Sequence, residues 1–295
     1  MSLACLACLA GLGSTHCSSS PGAAALPEPE GGTDAGAGDE PPACLASSAC
    51  GQAPLTGQEC VTTMSATVVD GTGAPVQGLP VFLCGTNLCS EPSRTAADGT
   101  VEVAVCLPFA APALKVFSDP QWAPFAALLP SGGPSFALGT VPVVALPAAG
   151  AALASGSGTV TSGGVSVTLA SATVTFDVEH PTPDSQLFRV VAVPPAELPS
   201  TLQGGVTAAW GLAPLNTKLV PAAQLALPNT PGWAAGAAVD VYIDGTDPSA
   251  TPPPAPWGAW GLLGTGAVSS DGASIVLTPA QGGLPEIAMV GVKLH

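Results

Sequence analysis

The chain has 295 residues, with 5 Lys plus Arg against 20 Asp plus Glu, for a formal net charge of -15. Five cationic side chains cannot neutralise a nucleic-acid backbone, which excludes nucleic acid as a partner. Only 8% of residues are charged, too few to give long surface helices their polar face. With 36 glycines, 33 prolines and an apolar fraction drawn largely from Ala and Val, the composition points to an all-β chain of short strands broken by turns.

The first seventeen residues read as a leader. Residues 3–13 form an apolar run with the length of a signal-peptide core, too short to span a bilayer. No cationic residue precedes it, which a start lying further upstream would explain. The early cysteines resemble a bacterial lipoprotein signal, in which a cysteine thiol is acylated after cleavage. Cys8 follows the small residue Ala7, and Cys17 precedes a Ser run. Both stand as lipidation candidates, and an ordinary secretory leader is the alternative. The resemblance implies export to the cell envelope, outer membrane or extracellular space, with membrane anchoring through an N-terminal lipid. Residues 18–58 follow as an acidic linker of Ser, Gly, Ala and Pro, expected to be a disordered tether because it has too little apolar surface to offset ordering entropy.

Six cysteines remain after the leader: Cys44 and Cys50 at the end of the linker, then Cys60, Cys84, Cys89 and Cys106. An even number in an exported chain argues for disulfides. The Cys84–Cys89 and Cys44–Cys50 spacings suit local clips, which leaves Cys60 with Cys106 as a tie between two strands. Zinc is the rival reading, but structural sites favour paired cysteines two to four apart, often with His, and here the gaps are four and five and the only histidines are His16, His180 and His295. No cofactor is expected.

Residues 59–147 show period-2 alternation between turn signals. Expected strands are 65–70, 79–84, 100–106, 114–117 and 142–146, with turns at Gly71–Gly73 and at Asp98-Gly99. The run Val-Val-Asp-Gly-Thr-Gly-Ala-Pro-Val-Gln-Gly-Leu-Pro-Val-Phe-Leu (68–83), then Thr-Ala-Ala-Asp-Gly-Thr-Val-Glu-Val (95–103), resembles the carboxypeptidase-regulatory-like, transthyretin-like β-sandwich. That family puts an Asp-x-x-Gly-x-Pro turn between strands and an Asp-Gly turn before the next. The resemblance implies a non-catalytic accessory or adhesive module.

Residues 148–158, rich in Ala, Gly and Ser, read as a second linker, and 159–295 as a second β-rich domain. Expected strands here are a hairpin over 158–169, then 172–177, 188–193, 219–227, 238–244 and 275–277. The run Leu-Ala-Leu-Pro-Asn (225–229) and the later Trp260, Gly264-Thr-Gly-Ala-Val-Ser-Ser-Asp-Gly272 resemble ZU5-like or GAIN-like modules of surface proteins. Some relatives cleave themselves at a His-x-Ser/Thr site. The triplet His180-Pro-Thr182 has that form, but it lies outside residues 205–295, which carry the resemblance, so the module is expected to stay intact. The expected architecture is two tandem β-sandwich-like modules after the tether.

Three features invite a functional reading. Asp240, Asp244 and Asp247 gather carboxylates suited to calcium, although the EF-hand order is not met and strand-end solubility with an Asp-Gly turn is the plainer reading. Trp257 and Trp260, beside the Pro-rich 251–256, could stack on a sugar or anchor a peptide, or could fill the gap between thin-sided sheets. His180, near Asp177 and Glu179, would need a nucleophile to act. No Gly-x-Ser-x-Gly elbow and no His-Glu-x-x-His pair occurs, so the chain reads as a non-enzyme with a structural, adhesive or ligand-presenting role. An envelope protein or a glycan is the implied partner.

Overall fold

The computed structural model of the protein describes residues 55–117, 121–131 and 133–295. The leader, both lipidation candidates, Cys44, Cys50 and most of the tether lie outside the described residues. The protein is all-β. Its strands, in chain order, are β1 (Gln58–Val69), β2 (Pro80–Cys84), β3 (Ser93–Arg94), β4 (Thr100–Ala110), β5 (Ala113–Val116), β6 (Phe125–Leu128), β7 (Ser135–Pro142), β8 (Ala151–Ala152), β9 (Gly156–Ser162), β10 (Val165–Thr175), β11 (Leu187–Val193), β12 (Ala208–Ala213), β13 (Thr217–Pro228), β14 (Ala238–Asp244), β15 (Trp260–Val268), β16 (Ser274–Leu277), β17 (Leu284–Ile287) and β18 (Val290–Leu294).

These strands form three sheets: β4-β1-β7, β3-β2-β5-β6, and a long sheet in the order β8-β11-β12-β18-β14-β15-β16-β13-β10-β9 with β17 paired to β13. The first two are the faces of a sandwich. Met64 and Val68 from β1 and Phe136 from β7 share a core with Val81 from β2 and Leu114 from β5. In β1 the inward residues are Val61, Met64, Ala66 and Val68. The three-residue step from Val61 to Met64 would put one of them in water in a regular strand. A register shift against β4 at this point turns both inward. β10 repeats the device: Val165, Val167 and Leu169 are buried, then Ala172, with Ser171 at φ 59° in the break.

The long sheet wraps around a second core that includes Val167, Leu212, Leu225, Val241, Ile243 and Val292. Its ends approach each other, and the Val190 N–H on β11 donates to Ser162 Oγ on β9 at 3.1 Å. Segment 148–158, read from sequence as a linker, contributes β8 and the start of β9. Ala151 and Ala152 pair with Phe188 and Leu187. The cores also cross the expected module boundary. Val193, Leu198, Leu202 and Met289 belong to the sandwich core, and Phe117 packs in the core of the long sheet.

Both Asp-Gly turns form as read. Asp70 Oδ1 accepts from the Thr72 N–H and hydroxyl and from the Ala74 N–H. Asp98 Oδ1 accepts from the Thr100 N–H and hydroxyl. Cys84 and Cys89 are joined in a disulfide, and Cys60 is also disulfide-bonded. Cys60 faces Pro108 across β1 and β4, so Cys106 sits two residues away from the position directly opposite it. The strand expected at 142–146 lies earlier, at β7, and beyond Pro142 only a bridge between Trp122 and Ala145 remains.

Gly99 has φ 77°, and a Cβ there would lie 2.4 Å from the Val68 carbonyl oxygen. Gly99→Ala therefore combines left-handed strain with a backbone clash. It should lower the stability measured by urea unfolding by about 2 kcal/mol or more. An unchanged midpoint would contradict this reading of the turn.

Candidate functional site, a buried charge cluster between the sheets

Three of the chain's five cationic side chains turn inward. Lys115 is 5% and Arg189 6% exposed, and the Lys218 side chain is about one-third exposed. Lys115 lies on β5, where Leu114, Val116 and Phe117 on either side are buried. Its ammonium sits 4.2 Å from the centre of the Phe117 ring and 5.9 Å from that of Trp257. Phe82 meets Phe117 edge-on at 4.4 Å. Burial pushes the Lys115 pKa down, and the fields of Glu179, Asp177, Asp247 and Asp244 partly offset it.

Asp244 ends β14 and is fully buried. Its Oδ2 accepts the Ala126 N–H at 2.9 Å, and its Oδ1 has no hydrogen-bond partner among the described residues. Ala126 is on β6, the edge of its sheet. Burial lifts the Asp244 pKa to about 8; the Ala126 N–H and Lys115 oppose the shift and Glu286 adds to it. Glu179 is an exposed residue, yet partial desolvation of its carboxyl still lifts its pKa to about 7, with Lys115 opposing. Beside it, His180 is 2% exposed. Its Nε2–H donates to the Leu215 carbonyl at 2.9 Å, and burial lowers its pKa.

The second arm of the cluster is Lys218 on β13. Its Nζ contacts Glu286 Oε2 and lies 2.6 Å from Asp247 Oδ2. Burial works against the Lys218 charge, but the bonds to Asp247 and Glu286 outweigh it and raise its pKa. Burial likewise pushes Asp247 up, but Lys218 and Ser249 outweigh it and hold it low. Glu286, 1% exposed, is raised by burial despite Lys218. Close by, the Thr246 hydroxyl donates to Asn216 Oδ1 at 2.7 Å, both buried.

The three carboxylates read as a calcium candidate do not converge. Asp240 accepts from the Thr265 hydroxyl and from His295, Asp244 is taken by Ala126 and Asp247 by Lys218. No group of three or more His, Cys, Asp or Glu is placed to hold a metal ion among the described residues. Asp240 and Asp244 do share the side of β14 opposite the buried Val239, Val241 and Ile243, but each is held by a different partner. The tryptophans are packing residues. Trp257 is 9% exposed, and its indole N–H donates to the Ala111 carbonyl. Trp260 is half-buried, and its indole N–H donates to the Leu202 carbonyl. Each indole N–H is held by a backbone carbonyl, and both rings pack against the protein's cores. Lys115, Lys218 and Glu286 were not singled out from sequence. The signal was there: each is an isolated charge inside an apolar strand of a chain with very few charges.

The surface clefts are separate from this cluster. One of 490 Å³ opens between β6 and β7 and is capped by residues 196–203. Leu128, Leu138, Val141, Leu198, Thr140 and Gln203 are among the residues that line it, and no charged residue does. A second, of 570 Å³, lies over β1 and β4 and includes Arg94 and Glu102.

No protein-family model and no curated protein matches the chain. Among solved structures, the Bacillus anthracis TIE protein aligns over 74% of this chain at 9% identity and a TM-score of 0.24, and the match spans 44% of that protein's chain.

Asp244 and Glu179 keep their protons in the folded protein when the unfolded chain, with values near 3.8 and 4.5, has lost them. Their contribution is complete at acid pH and is lost as pH rises toward 7 and 8. His180 works in the opposite sense below 6.5, and Lys115 opposes the carboxylates at the alkaline end. The melting temperature should therefore fall between pH 6.5 and 8. Asp244→Asn still accepts the Ala126 N–H but cannot ionise, and should flatten that fall. Asp244→Ala leaves the N–H unpaired and should cost about 1–3 kcal/mol. Thermal melts from pH 5 to 9 on the three proteins check both. A wild-type melt insensitive to pH in this window would refute the charge assignment.

Proposed function

We propose that the protein is a non-catalytic, exported scaffold of the cell envelope that presents a binding face outside the cytosol. One observation carries the reading. Lys115, Asp244 and Glu286 are buried between the sheets and line neither surface cleft, a placement that suits holding layers together rather than meeting a substrate. The Cys84–Cys89 disulfide favours an oxidising compartment. The lipoprotein-like leader with Cys17 or Cys8 supports attachment to a membrane through a lipid, and the acidic tether would set the β layers away from it. The excess of negative charge keeps such an apolar chain dispersed.

The face offered is the neutral cleft between β6 and β7. Its size suits a small uncharged ligand or a short piece of glycan or peptide. Thr140 is exposed at its wall, so Thr140→Arg fills it without disturbing the core. On glycan and peptide arrays the wild-type chain should retain an uncharged ligand, and Thr140→Arg should lose it at least tenfold. Equal binding by both would move the site elsewhere. Turnover of an ester, amide or glycoside substrate by the wild type would refute the non-catalytic reading.

A further inference from the structure

The Lys218, Glu286 and Asp247 arm has a feature that an ordinary surface ion pair lacks. Lys218 on β13 and Glu286 on β17 are direct partners in antiparallel register, so the two backbones hold Nζ against the carboxyl group. Glu286 is 1% exposed, and its Oε1 has no hydrogen-bond partner among the described residues. Asp247 Oδ2 approaches the same nitrogen at 2.6 Å. An amine, a water-excluded carboxyl and a flanking carboxylate are thus preassembled, and close placement of this kind removes most of the entropic barrier to amide formation.

We propose that Lys218 and Glu286 are joined by an isopeptide bond, with Asp247 as the base that starts the reaction. Asp247 Oδ2, 2.6 Å from Nζ, is placed to receive a proton from it, while burial favours the neutral acid of Glu286. Asp247 takes one proton from the Lys218 ammonium. The freed amine attacks Cδ of the neutral Glu286, the N–Cδ bond forms and one Cδ–O bond breaks. The departing hydroxyl takes a second proton lost by the nitrogen and leaves as water, and Asp247 then returns its proton to solvent. Nothing is oxidised or reduced and no co-reactant is consumed. The product replaces an ammonium and a carboxyl, both costly to keep out of water, with one neutral amide. It also gives the unpartnered oxygen a fate, as the amide carbonyl or as the water lost. The bond would join positions 68 residues apart in a part of the chain that has no cysteine after Cys106, so it would staple the half that disulfides leave unstapled.

The test is mass spectrometry of the full chain after reduction of disulfides. The folded wild type should weigh one water less than its sequence, and digestion with a protease of broad specificity should yield a single branched peptide joining the segments around Lys218 and Glu286. Lys218→Arg and Glu286→Ala should each restore the full mass. Asp247→Asn should keep the circular dichroism of the folded protein but show the full mass. If a variant fails to fold, the branched peptide of the wild type alone decides. A folded wild type at full mass without that peptide would mean an ion pair only, and would overturn the proposal. So would loss of water that persists in Lys218→Arg.

Discussion

The open edge of the sheet that ends at β6 is closed by groups from the later part of the chain rather than by another strand. The Ala126 N–H finds the Asp244 carboxyl at the end of β14, and the Leu128 N–H points at the Gly258 carbonyl at 3.3 Å. Gly258 has φ 64°, and a Cβ there would come within 3.0 Å of the Leu128 nitrogen, so the loop after β14 can lie this close only with glycine. An exposed strand edge invites pairing with other chains, and natural proteins cover or interrupt such edges. Here the cover is a carboxyl group buried with one free oxygen, which must stay neutral to stay inside. The join between the sandwich and the long sheet depends on that condition.

The rest of the cluster follows from the same constraint. A chain with so few cations cannot give each acid of the cluster its own counter-ion. Lys115 and Lys218 are shared among Asp177, Glu179, Asp244, Asp247 and Glu286, so some acids must keep their protons. Asp244 and Glu179, the two that do so most strongly, have no ion pair. Asp247, which has one, remains ionised. The aromatic rings belong to the same arrangement. Phe117 and Trp257 flank the Lys115 ammonium and give it a partial substitute for water.

Much of the fold was legible because strands announce themselves by alternation. The paired Asp-Gly turns at Asp70 and Asp98 and the clean alternation of 100–106 translate directly into β4 and its neighbours. The long-range features were not legible. β6, with Phe-Ala-Ala-Leu, has no period-2 signal because both of its faces are covered. β12, β17 and β18 are short runs whose role emerges only from pairing with distant strands. Segment 148–158 has linker composition yet pairs as β8 and β9, since small residues suit close sheet contacts as well as flexible chain. The carboxylates of 240–247 were visible as a group. Their separate engagement was not, because it depends on β6 arriving from over a hundred residues away to meet Asp244 and on Lys218 reaching Asp247. The tryptophans were identified as sharp features, and the packing reading weighed against the binding one is where the indole contacts place them.

The central claim is that Asp244 is a neutral carboxylic acid at the join between the sheets. Carbon-detected NMR of the aspartate side-chain carboxyls, followed from pH 3 to 10 with Asp244→Asn for assignment, measures this directly. The account predicts a resonance for Asp244 that titrates with a midpoint near 8, together with a change in the Ala126 amide over the same range. A midpoint near the ordinary 3.8, with the Ala126 amide unmoved at alkaline pH, would contradict it.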